Sequence, residues 1–104
     1  MGSYQVEITG AARREIRILP GHVRQPIFRE IQALEKEARP YSSKGLKSTK
    51  NFKIPRGVEL RRIRVDRWRV VYVIEPDLSL VTVLAIRKRP PYQYDDLEEL
   101  LKEV

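Results

Sequence analysis

Between Glu59 and Arg69 the chain reads ELRRIRVDRWR, with Arg61, Arg62, Arg64, Arg67 and Arg69 set against only Glu59 and Asp66. A guanidinium stays charged at any working pH, and its planar fork of donors matches the oxygens of a phosphate. Interleaved Leu60, Ile63, Val65 and Trp68 give the same stretch a way to be buried. Side chains on a strand point alternately to opposite faces, which puts Ile63 and Val65 on one side and Arg62 and Arg64 on the other. If Asp66 and Arg67 form a tight turn, Val65 pairs with Trp68 and Arg64 with Arg69. Arg62, Arg64 and Arg69 are then expected to converge on one open face of a sheet.

The wider charge pattern points the same way. The 104 residues carry a formal net charge of +7, unevenly spread. From Lys44 to Arg69 ten basic residues (Lys44, Lys47, Lys50, Lys53, Arg56, Arg61, Arg62, Arg64, Arg67, Arg69) face two acids, and Arg87, Lys88 and Arg89 follow. The end of the chain is the reverse, with Asp95, Asp96, Glu98, Glu99 and Glu103 against Lys102. A concentrated positive field on a small domain favours a polyanion, most often nucleic acid. No cysteine is present, which excludes a disulfide framework, a thiolate metal site and a thiol nucleophile. The acids form no convincing metal cluster, there is no glycine-rich phosphate loop, and no cofactor is expected. His22, in a predicted turn, is expected to be solvated. With no long apolar run and no secretory pattern at the N-terminus, one cytoplasmic domain spanning 1–104, with no membrane partner, is expected.

The elements that position these groups follow from periodicity. Tyr4 to Thr9 alternates as a half-buried strand, and Thr9 can cap a helix running from Gly10 to about Leu19, ended by Pro20. Val23, Ile27, Ile31 and Leu34 recur at helix spacing, predicting a second helix to about Ala38 and hence a helical hairpin. Tyr41 to Gly57 is expected to be a long loop of roughly seventeen residues, a lysine-rich arm able to close over a phosphate backbone. The arginine strand, Trp68 to Ile74, and Leu80 to Ile86 form an antiparallel meander. The register of its last strand is open, because the turn after Glu75 could hold two, three or four residues. Trp68 and Tyr72 are expected in the core. Asp95 and Glu98 resemble a capping box ahead of a final helix with Leu97, Leu100, Leu101 and Val104 on one stripe. The order β-α-α-β-β-β-α makes an α+β fold, an antiparallel sheet of about four strands with the helical hairpin on one face.

This order, together with WRVVY and the VTVLAIRKR strand with its terminal basic residue, resembles the RelE/ParE toxin superfamily of toxin-antitoxin pairs. Gly45-Leu46-Lys47 ahead of the arginine strand also fits. The resemblance implies one of two activities. RelE-like members cut messenger RNA in the ribosomal A site, the decoding site, against ribosomal RNA; ParE-like members poison DNA gyrase without a nuclease site. The motif of the cutting branch falls on Arg62, Arg64, Arg69, Arg89 and either Tyr92 or Tyr94, which favours the endoribonuclease. A catalytically silent RNA-binding module is the third reading. A cognate antitoxin is implied as partner, one that covers the basic face or displaces the last helix.

In such a nuclease the RNA's own 2′-hydroxyl attacks the adjacent phosphate, so neither metal nor external water is needed. The enzyme orients the attack, removes a proton, stabilises the phosphorane charge and protonates the leaving 5′-oxygen. Arg69 is expected on the scissile phosphate, flanked by Arg62 and Arg64. Family members often carry lysine at those two flanking positions, and arginine practically cannot release its proton. The general base is therefore sought in Tyr92 or Tyr94, whose phenol nearby arginines would acidify, with Arg89 serving the leaving group. Lys44, Lys47, Lys50, Lys53, Arg61, Arg67, Arg87 and Lys88 are expected to bind the RNA backbone.

Overall fold

Thr9 ends the first strand and starts the first helix, because its hydroxyl accepts the Ala12 N–H left open at the helix start. The computed structural model describes residues 3–48, 53–88 and 101. Its elements are β1 (Gln5–Ile8), α1 (Gly10–Arg17), α2 (Gly21–Ala33), β2 (Ser43–Leu46), β3 (Glu59–Val65), β4 (Trp68–Glu75) and β5 (Leu80–Lys88). Both helices stop a little earlier than their periodicity predicts, although Leu19, Leu34 and Ala38 beyond them remain buried.

The strands form one five-stranded sheet in the order β1-β5-β4-β3-β2. The fold class is the expected α+β, with two differences. β1 runs parallel to β5, so the sheet is mixed. Within the stretch read as a loop, Ser43–Leu46 pairs with Ile63 to Leu60 as a fifth strand. A four-residue SKGL segment shows no period of its own; it is held by the ladder that β3 offers and by Leu46 meeting Leu60.

Two cores lie on opposite sides of the sheet. On one side Ala12, Ile16, Ile27, Ile31 and Leu34 pack against Ile63, Val70, Tyr72, Ile74, Val81, Val83 and Ile86. On the other, Leu60, Val71, Val73, Leu84 and Ala85 pack with Leu101, a helical residue. The second side is thus partly covered by the chain itself rather than bare. The rest of the expected final helix lies outside the described residues.

A bulge settles the register of β5. The turn after Glu75 is a 3₁₀ turn, Pro76–Leu78, closed by Ser79 at φ 49, and Glu75 pairs with Leu80. Further along, Tyr72 pairs with Val83 but Val71 with Ala85, so Leu84 is the extra residue. Leu84 and Ala85 consequently share the second face, and Val81, Val83 and Ile86 share the helix side. No strict alternation of sides describes this strand, so no choice of turn length alone would have given its register. The bulge carries a second consequence: Arg87 faces the same way as Arg69, its direct partner on β4, and Lys88 falls opposite Trp68.

Candidate phosphate-binding face

The hairpin between β3 and β4 turns at Asp66 and Arg67, with Asp66 in the left-handed region at φ 56. Val65 pairs with Trp68 and Arg64 with Arg69, the register the two-residue turn predicts. Arg69 in turn pairs with Arg87. Arg64, Arg69 and Arg87 therefore form a row across three adjacent strands, on the face away from α1 and α2. Directly opposed side chains have Cβ atoms about 5 Å apart, and like charges so placed repel. Arg62 lies two residues along β3 on the same face, and Lys44 lies directly opposite it on β2. The face is divided: apolar where Leu101 packs, basic towards the hairpin turn.

The members of this cluster differ in access. Arg64 is exposed and Arg62 half-buried. Arg69 is 4% exposed, which departs from the open placement expected of it. Its NH1 donates to the carbonyls of Trp68 at 3.1 Å and Asp66 at 3.4 Å, so the hairpin holds the guanidinium in place. NH1 of Arg87 lies 3.3 Å from Oε2 of Glu15.

Other candidates fall elsewhere. Arg61 points to the helix side, where it donates to Oε2 of Glu59 at 2.8 Å and to Oγ of Ser43 at 2.8 and 3.0 Å. Glu59 also accepts from Arg39, and this hydrogen bond, reinforced by Arg61, holds its carboxyl below the usual carboxylate range. The same bond raises the Arg39 guanidinium. Tyr72 is fully buried with its hydroxyl donating to the Ala38 carbonyl at 2.7 Å, and burial pushes its phenol up. The expected core role of Tyr72 holds, and Trp68 packs against the same core with Lys88 Nζ 6.0 Å from its ring centre. Arg67, Lys47 and Lys53 are exposed. Lys50, Arg89, Tyr92 and Tyr94 lie outside the described residues. Among the described residues no group of three or more acids or histidines gathers as a metal site.

Neither protein-family models nor curated proteins match the chain. Solved structures do. Over 86% of this chain and 99% of its own, the RelE of the archaeal RelE-RelB complex from Pyrococcus horikoshii OT3 superposes with a TM-score of 0.72 at 20% identity. This is the RelE fold. The toxin-antitoxin complex RelBE2 of Mycobacterium tuberculosis matches at a TM-score of 0.65 and 22% identity, covering 84% of this chain and 99% of that one. The isolated E. coli RelE toxin matches at 0.59 and 17%, covering 97% and 98%. Arg87 was expected at the RNA backbone, but its place opposite Arg69 and the part of Glu15 were missed at the sequence level, because only the bulge turns Arg87 towards Arg69.

Proposed function

We propose that the protein is the toxin of a toxin-antitoxin pair and acts as a ribosome-dependent endoribonuclease on messenger RNA. The observation that carries this reading is the aligned row Arg64–Arg69–Arg87 with Arg62 and Lys44 beside it. Such a row costs the fold stability through repulsion, and a phosphodiester brought onto it would relieve that cost. The RelE fold supports the choice of RNA as the polyanion.

On this reading Arg64 and Arg62 meet the backbone first, and Arg69 reaches the scissile phosphate once binding parts the side chains above it. Guanidinium contacts stabilise the extra charge of the phosphorane as the 2′-hydroxyl attacks, an effect commonly worth about 2.7 to 4 kcal/mol for one well-placed donor. Arg89 serves the leaving oxygen, and Tyr92 or Tyr94 supplies the base. The apolar half of the face, where Leu101 packs on Leu60, Val71 and Leu84, is a surface that an antitoxin could cover by taking the place of that segment. The complexes with RelB in archaeal and mycobacterial relatives support such a partner.

A second reading has one observation in its favour. The helical hairpin exposes Ile18 (83%) and Phe28 (40%), and Phe28 lines a cleft of about 160 Å³ with Ile8, Arg13, Ile16, Arg17 and Arg24. That surface suits a protein contact, as a gyrase inhibitor would need. Primer extension on a translated message separates the two. Cuts at fixed codon positions, absent without ribosomes, support the nuclease; an intact message with gyrase-dependent DNA breaks supports the inhibitor. Intact message and intact DNA with salt-sensitive RNA binding leave a silent RNA-binding module.

A further inference from the structure

Strand β5 outruns its parallel neighbour. β1 pairs with Leu80 to Val83 and then gives way to α1. From there α1 and its cap continue the pairing by other means. The Thr9 N–H donates to the Val83 carbonyl at 3.1 Å, and the Thr9 hydroxyl donates to the carbonyl of Leu84, the bulged residue, at 3.4 Å. One turn and a half into the helix, Glu15 Oε1 accepts the Ile86 N–H at 2.8 Å, standing in for a strand carbonyl. Its second oxygen, Oε2, faces NH1 of Arg87. One carboxylate thus satisfies the strand edge and grips the next residue's side chain.

The bulge turns Arg87 onto the arginine face, and Glu15 meets one nitrogen of its guanidinium there. We infer that Glu15 is a positioning residue for Arg87, and that Arg87 is a phosphate-gripping member of the row. The inference rests on the nuclease reading proposed above. A guanidinium carries five donors in a rigid fork, so a carboxylate on one nitrogen fixes its plane while phosphate recognition uses the same rigid geometry. The carboxylate also offsets part of the repulsion between Arg87 and Arg69. Bulk electrostatics makes the opposite forecast: removing the Glu15 charge raises the net positive charge and tightens RNA binding.

Glu15→Gln is the informative variant, because the amide oxygen can still accept from Ile86 and keep the strand edge closed. Single-turnover cleavage of ribosome-bound message is measured for wild type, E15Q, R87A and the double variant, each with its urea midpoint. Affinity for a 2′-O-methyl oligoribonucleotide, which cannot be cut, is a second readout. E15Q is expected to cut about tenfold more slowly with a midpoint close to wild type, and to add nothing once Arg87 is removed. An equal loss in both backgrounds, or no loss, overturns the positioning role and leaves the nuclease standing. If the wild-type protein leaves the message intact, the nuclease reading fails and the oligonucleotide decides the pair by itself. A weakening by E15Q that vanishes without Arg87 then supports the positioning role, and a tightening in both backgrounds overturns it.

Discussion

Arg61 and Arg62 are neighbours in the chain and sit on opposite sides of the sheet. Arg61 joins Glu59, Arg39 and Ser43 in a network that ties the segment after α2 to β3 and the edge strand β2. Arg62 stands with Arg64, Arg69 and Lys44 on the other side, where charges of one sign are gathered. The first group shows what an arginine does for a fold: its charge is matched and its donors are used. In the second, like charges stand directly opposite one another, Arg62 to Lys44 and Arg64 to Arg69, an arrangement that a bound anion would stabilise.

The comparison breaks most visibly at Arg69. Arg69→Ala is expected to lower cleavage of a translated message by about 100- to 1,000-fold, the range for losing one preorganised donor. It also removes the ties to the Asp66 and Trp68 carbonyls, so the urea midpoint falls as well. Primer extension and denaturation on the same preparation check both. On the helix side, Tyr72→Phe deletes the hydrogen bond to Ala38 and is expected to cost about 1 to 3 kcal/mol in urea unfolding, with cleavage unchanged. Arg61→Ala is expected to cost about 1 kcal/mol and likewise to leave cleavage intact. A cleavage defect in this variant at full stability would erase the distinction between the two groups.

The smallest effect is a pH dependence. Glu59 has a folded pKa below its unfolded one, so its contribution to stability is complete above the ordinary glutamate range. That contribution is lost as pH falls through this range towards the folded value. Since Glu59 and Arg39 are both partly exposed, screening keeps it small. Urea midpoints between pH 7 and 3 are expected to fall less steeply for Glu59→Gln than for wild type.

Much of the basic face was legible because hairpin register is local: two turn residues between Val65 and Trp68 suffice to set Arg64 against Arg69. The helices announced themselves through Val23, Ile27 and Ile31, and Thr9 as a cap. What escaped depends on distant partners. Ser43–Leu46 becomes a strand only because β3 has an open edge, and the parallel pairing of β1 left no local sign because its partner lies some seventy-five residues away. Leu80 to Ile86 is almost wholly apolar, so neither alternation could be preferred and a bulge left no trace. Glu15 looked like any charged residue on a helix of arginines; its role appears only when β5 arrives beside it. Arg69 seemed open because nothing local to its hairpin covers it.

The central claim is that the arginine row is kept for a phosphodiester in spite of the repulsion within it. Arg64→Thr tests this most directly, since threonine suits a strand and takes one like charge away from Arg69. Single-turnover cleavage of ribosome-bound message and the urea midpoint are read on the same variant. Cleavage is expected to fall about tenfold or more while the midpoint rises by the equivalent of about 0.2 to 1 kcal/mol. Cleavage at the wild-type rate, or a midpoint that drops, would contradict the claim.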